Sequence, residues 1–138
     1  MGSSALFLTY DEHGGYFDNV APPRAPVPDN IAPMLGPGDV NATFDRYGVR
    51  VPAVVVSPFA KRHFVSHRVH DHTSIPRFIE RRFGLPALTQ RDAHANPMLE
   101  FFDFEHSSFA RPPVLPAAPL DPIQAANCTA LGSGSGGV

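Results

Sequence analysis

The feature that most constrains this chain is a short apolar run, Ala5-Leu6-Phe7-Leu8-Thr9-Tyr10, that ends at once on Asp11-Glu12-His13-Gly14-Gly15. A run without polar alternation suits a strand covered on both faces, as in a parallel sheet. The charged cluster then sits at the C-terminal end of the strand, the edge at which open α/β sheets bind their ligands. A second run, Val51-Pro52-Ala53-Val54-Val55-Val56-Ser57, is β-branched and reads as another buried strand. Pro52 is tolerated at its start, where a missing N–H costs least.

Between these runs, residues 21–45 carry Pro22-Pro23, Pro26, Pro28, Pro33 and Gly36-Pro37-Gly38 with no apolar period. That is a long surface loop. After the second strand, a helix is expected from about Thr73 to Phe83. Ile75, Phe78, Ile79 and Phe83 share one face, Thr73 or Ser74 can cap its start, and Gly84 followed by Pro86 ends it. A shorter helix is expected with Asn96 as cap and Pro97 at its first position. The order of strand, loop, strand, helix and helix gives an α/β layer architecture. Two strands cannot make a parallel sheet with both faces covered, so further strands are expected from polypeptide upstream.

The 138 residues suffice for one domain. Residues 1–110 read as its folded segment, and residues 111–138, Pro/Ala-rich and then Gly/Ser-rich, as a flexible tail. A net charge of −2 supplies no field for holding nucleic acid. No apolar run reaches the length of about eighteen residues that suits a membrane span. The single cysteine, Cys128, cannot close an intrachain disulfide.

Two clusters can carry chemistry. In the first, Asp11 and Glu12 repel each other unless a cation lies between them, and their hard oxygens suit a divalent metal ion. The alternative is a polar turn capping a strand. The second is His70-Asp71-His72-Thr73-Ser74 at a helix start, where free backbone N–H groups favour an anion. There His72 could serve as general acid or metal ligand, with Asp71 fixing its ring tautomer. The alternative makes Asp71 and Thr73 helix caps and leaves the histidines solvated. His63, His67, His70 and His72 match no structural zinc spacing, and no cysteine pairs accompany them.

Several of these stretches closely resemble motifs of the phosphoesterase family that includes bacterial phospholipase C, acid phosphatase and plant non-specific phospholipase C. They are Leu8-Thr9-Tyr10-Asp11-Glu12-His13-Gly14-Gly15-Tyr16-Phe17-Asp18-Asn19-Val20, Gly48-Val49-Arg50-Val51-Pro52 through Phe59, and His70 through Ile75. Arg77-Phe78-Ile79-Glu80, Phe83-Gly84-Leu85-Pro86, Leu88-Thr89, Arg91-Asp92-Ala93 and Phe102-Asp103-Phe104 continue the similarity. It covers roughly Ala5 to Phe104, several motifs in the family's order.

The resemblance implies an alkaline-phosphatase-like three-layer α/β sandwich, present here as a C-terminal fragment. It implies metal-assisted hydrolysis of phosphate esters, with phospholipid (phosphocholine) esters or phosphate monoesters as substrates. Asp11 and Glu12 would be metal ligands or would otherwise hold the catalytic centre, and His13 and His72 would line the phosphate pocket. The family's phospholipases and phosphatases also suggest a secreted or cell-envelope location. Two family elements have no counterpart. There is no Glu-Asn-x-Ser-Phe-Asp motif, since Thr43-Phe44-Asp45 lacks the Glu-Asn and follows the acidic pair; nor is there a later Thr or Ser nucleophile. Both are expected from an N-terminal segment, so these residues alone should have little turnover, as a truncated, non-catalytic module would.

Overall fold

The computed structural model describes residues 3–132. Strands β1 (Leu6–Thr9) and β2 (Ala53–Val56) precede helices α1 (Ser74–Phe83) and α2 (Gln90–His94), a 3-10 turn at Leu99–Phe101, and helix α3 (Pro122–Gly132). The class is α/β, with a small sheet and helices beside it.

The two strands form one sheet, paired antiparallel with Phe7 opposite Val55 and Leu8 opposite Val54. The expectation of parallel strands buried on both faces is therefore corrected. The chain returns through the long loop rather than through a crossover helix, and strands joined in that way can pair antiparallel. Burial alternates along β1 despite its unbroken apolar sequence. Phe7 meets the Phe78 ring of α1 at 5.0 Å, and Phe78 stacks on Phe102 at 5.2 Å. Leu6, Leu8, Val54 and Val56 lie on the opposite face, each more than half exposed. Apolarity on both faces was visible in sequence, but only one face finds a partner among the described residues.

The core is thus an aromatic cluster between one sheet face and α1. Phe102 is 5% exposed and Met98 3%, and Phe104 stacks on Phe102 at 5.1 Å. Lys61 N–H donates to Phe101 O and Asp103 N–H to Phe59 O, fastening the segment after β2 to the segment after the 3-10 turn.

Helix α1 begins one residue later than the sequence suggested. Thr73 occupies the cap position without using its own side chain as a cap. Asp71 does that work: its Oδ1 accepts from Ser74 N–H at 3.1 Å and from the Thr73 hydroxyl at 2.7 Å. Gly84 closes the helix in the left-handed region at φ 67°, where a glycine is favoured. Asn96 accepts from Met98 N–H, but the turn that follows is a single 3-10 turn rather than an α-helix.

Helix α2 was not expected. Its start is a reciprocal box in which Thr89 accepts from Arg91 and Asp92 N–H while Asp92 accepts from Thr89 N–H. Helix α3 also falls where a flexible tail was expected. Asp121 Oδ1 accepts from Ile123 and Gln124 N–H, and Pro122 occupies the first turn. Composition drew attention to prolines and glycines, whereas the segment 122–132 between them is Ala-rich and helix-favouring. The Gly/Ser run at 133–138 and Met1–Gly2 lie outside the described residues.

Candidate active site

The first cluster lies where the sequence placed it, directly after β1. Gly14 and Gly15 both take positive φ, 65° and 75°, and fold the chain back so that Tyr16 N–H donates to His13 O. Asp11 and Glu12 are exposed, and Asp11 Oδ1 accepts from Glu12 N–H at 3.0 Å. Asp11 Oδ2 and both Glu12 oxygens have no protein partner among the described residues. His13 is half-buried, and its Nδ1 is enclosed without a hydrogen-bond partner.

The second cluster reaches the first. His72 Nε2 lies 2.7 Å from Tyr10 O, the carbonyl of the residue preceding Asp11. A carbonyl only accepts, so Nε2 carries the proton and Nδ1 is the ring nitrogen left available. The expected role of Asp71 in setting that tautomer is corrected. Its carboxylate contacts no histidine ring among the described residues; it caps α1 and faces Arg91, whose Nη1 is 3.9 Å from Asp71 Oδ2. The backbone carbonyl of Tyr10 fixes the ring instead.

Two grooves open here. One, of ≈ 380 Å³, is walled by His13, Tyr16, Asp18 and Pro52. The other, of ≈ 670 Å³, is walled by Thr9, His70, Asp71, His72 and Tyr47. Arg50 and Val51 line both. His13 and His72 therefore face adjoining spaces rather than one pocket. Among the described residues, no three His, Cys, Asp or Glu side chains converge as a metal site. The donor set fits a hard divalent cation only in part: Asp11 and Glu12 supply free carboxylate oxygens, while such an ion takes about six ligands.

Two features escaped the sequence reading. Arg50 grips Asp18 through a bidentate fork, Nε to Oδ2 and Nη2 to Oδ1, both at 2.7 Å. This joins the Gly14-Gly15 turn to the approach of β2. In addition, His70 Nε2 and the Ser66 hydroxyl converge on Glu100 Oε1 at 2.9 and 3.1 Å. Burial would raise the Glu100 carboxyl, but its own backbone N–H, Ser66 and His70 outweigh that and lower it. The Asp18–Arg50 pair shows in sequence only as two opposite charges 32 positions apart, and nothing local links them.

The Arg50 hydrogen bonds hold the Asp18 carboxyl well below its ordinary value of 3.8. A carboxyl lowered by folding stabilises the fold fully above its unfolded pKa, and that contribution is lost as pH falls below it. Asp18→Asn is therefore expected to flatten the loss of thermal stability between about pH 4 and pH 2. Melting curves over that range check this; parallel slopes for the two proteins would remove the pair from the acid response.

Comparisons with known proteins place the chain in a family. The model of the Phosphoesterase family matches residues 1–86. The chain belongs to that family. This phosphoesterase segment is 38% identical over 113 residues to Non-specific phospholipase C1 of Arabidopsis thaliana, covering 75% of this chain and 21% of that protein. It is 39% identical over 113 residues to Phospholipase C B of Mycobacterium tuberculosis, covering 73% of this chain and 21% of that one. Against Non-hemolytic phospholipase C of Pseudomonas aeruginosa it is 40% identical over 96 residues, covering 59% and 14%. The phosphoesterase chain thus spans about a fifth or less of the length of these curated relatives.

Proposed function

We propose that this chain forms one side of the catalytic centre of a metal-assisted phosphoric ester hydrolase with the alkaline-phosphatase-like three-layer fold, acting on phospholipids as a phospholipase C. The observation that carries this is the 2.7 Å bond from His72 to Tyr10 O, which joins segments 62 positions apart at one end of the sheet. Family membership and the names of the relatives support the reaction class.

Asp11 and Glu12 would hold a divalent cation, which when bound polarises the phosphoryl oxygens. The attacking Thr or Ser hydroxyl belongs to polypeptide outside these 138 residues. His72 offers Nδ1, the nitrogen not committed to Tyr10 O, and as imidazolium it passes that proton to the departing alkoxide. For a phospholipid, that alkoxide becomes diacylglycerol, and water then cleaves the ester left on the attacking hydroxyl to release phosphocholine. Asp71 holds the turn carrying His72 rather than exchanging protons. His13 lines the adjoining groove.

The test takes this segment within a chain of the relatives' length and supplies phosphatidylcholine. Release of diacylglycerol and phosphocholine, abolished by a chelator and restored by added divalent cation, is expected. The 138-residue chain alone should not exceed background on p-nitrophenyl phosphorylcholine. Release of phosphate from monoesters with phosphatidylcholine untouched would move the assignment to an acid phosphatase. Chelator-resistant turnover would overturn the metal-assisted reading.

A further inference from the structure

Arg91 stands on α2, outside both clusters, yet its guanidinium meets four separate groups. Its Nε donates to Pro26 O at 2.6 Å and its Nη2 to Phe44 O. Its Nη1 faces Asp71 Oδ2 at 3.9 Å, and its plane lies over the Tyr47 ring at 5.2 Å. The side chain is 14% exposed, so this is an embedded cation rather than a solvated surface arginine.

The groups it gathers belong to two structures. Pro26 and Phe44 lie towards the two ends of the long loop. Below them, Ala25 N–H donates to Asp45 O and Tyr47 N–H to Pro23 O, forming a short ladder that closes the loop's neck. Gln90 N–H, the residue before Arg91, donates to Pro28 O. Asp71 belongs to the turn that delivers His72. Its Oδ1 is already taken by Thr73 and Ser74, so Arg91 opposes the remaining oxygen and the carboxylate is held from both sides.

We propose that Arg91 is a positioning residue for His72, holding the Asp71 turn and the closed neck of the 26–44 loop in one register so that the imidazole meets Tyr10 O. This rests on the role given to His72 above. Only a planar fork can donate to two carbonyls and face a carboxylate while lying over a ring; a lysine ammonium is a compact point charge that cannot. Arg91→Lys therefore keeps the charge and loses the geometry.

The test is nuclear magnetic resonance on the full 138-residue chain, following the ring N–H signal of His72, with the His106 ring beside Asp103 as an internal reference. Limited proteolysis reports the loop. In Arg91→Lys and Arg91→Gln, the His72 Nε2–H signal is expected to shift or broaden while His106 stays unchanged. Cleavage within residues 27–43 should be about tenfold faster, as the open population rises. Asp71→Asn retains an oxygen for capping and removes the charge opposite Arg91. It should perturb His72 and leave the loop protected, which keeps the proposal open to refutation should the Arg91 variants not fold. A folded Arg91 variant, or a folded Asp71→Asn, with an unmoved His72 signal would overturn it. Neither readout requires turnover, so a failure of the hydrolase assignment shows separately, in the lipid assay.

Discussion

Replacing Asp11 by Asn together with Glu12 by Gln is expected to reduce turnover on phosphatidylcholine by about a thousandfold, in a chain of the relatives' length, with little change in stability. A bound divalent cation supplies several kcal/mol of transition-state charge stabilisation, and about 4 kcal/mol corresponds to three powers of ten in rate. Neutral amides are far poorer ligands for a hard cation than carboxylates. The fold should tolerate the change because both side chains are exposed. The sole hydrogen bond either carboxylate makes among the described residues, from Glu12 N–H to Asp11 Oδ1, can be accepted by an Asn oxygen. Steady-state kinetics with a melting curve for each protein separate the two effects. Metal content by elemental analysis should fall in parallel. Undiminished kcat, or a lost rate accompanied by a collapsed melting transition, would refute the ligand role assigned to the pair.

The parts of this fold that could be read in sequence are those written in local chemistry. Gly84 and the apolar spacing of Ile75, Phe78 and Ile79 place α1 to within a residue of where it lies. The end of β1 at Asp11 is likewise marked by an abrupt change of polarity. What sequence could not show depends on contacts over distance. Strand direction follows from the path of a loop without periodicity, and a run apolar on both faces looks the same whether one face or two are covered. The acidic pair and His72 were each visible, but the bond from His72 to the residue before Asp11 is made to a backbone carbonyl, which carries no side-chain signature. For the same reason Asp71 was assigned to a ring beside it in sequence, when its partners in space are Thr73, Ser74 and Arg91. Helix α2 was hidden because its five residues are too few for an apolar period, although Thr89 and Asp92 spell a capping box with an aspartate in the third position.

That capping box leads to the largest stability effect expected here. Asp92 is 2% exposed and accepts from Leu88 N–H at 2.7 Å, Thr89 N–H at 2.6 Å and the Thr89 hydroxyl at 2.5 Å. Burial alone would raise its carboxyl, but the bonds from the Thr89 and Glu80 side chains and from the Leu88 and Thr89 backbone outweigh it and hold the group well below 3.8. Asp92→Ala strips the partner from two backbone donors in a part-buried setting, at about 1–3 kcal/mol each, so a loss of about 3 kcal/mol is expected. Asp92→Asn keeps an accepting oxygen and should cost less than half of that. Thr89→Ala, which removes the cap from Arg91 and Asp92 N–H, should cost about 1 kcal/mol. Urea unfolding at neutral pH ranks the three. The carboxylate's contribution is complete above pH 3.8 and is lost as pH falls below it, so the gap between wild type and Asp92→Ala should narrow in acid. Because Arg91 leaves the same helical turn, Asp92→Ala should also loosen the His72 ring, whereas an equally destabilising change at the opposite end of the core should not. An Asp92→Ala protein as stable as wild type would mean that α2 is held by packing against α1 rather than by its buried cap.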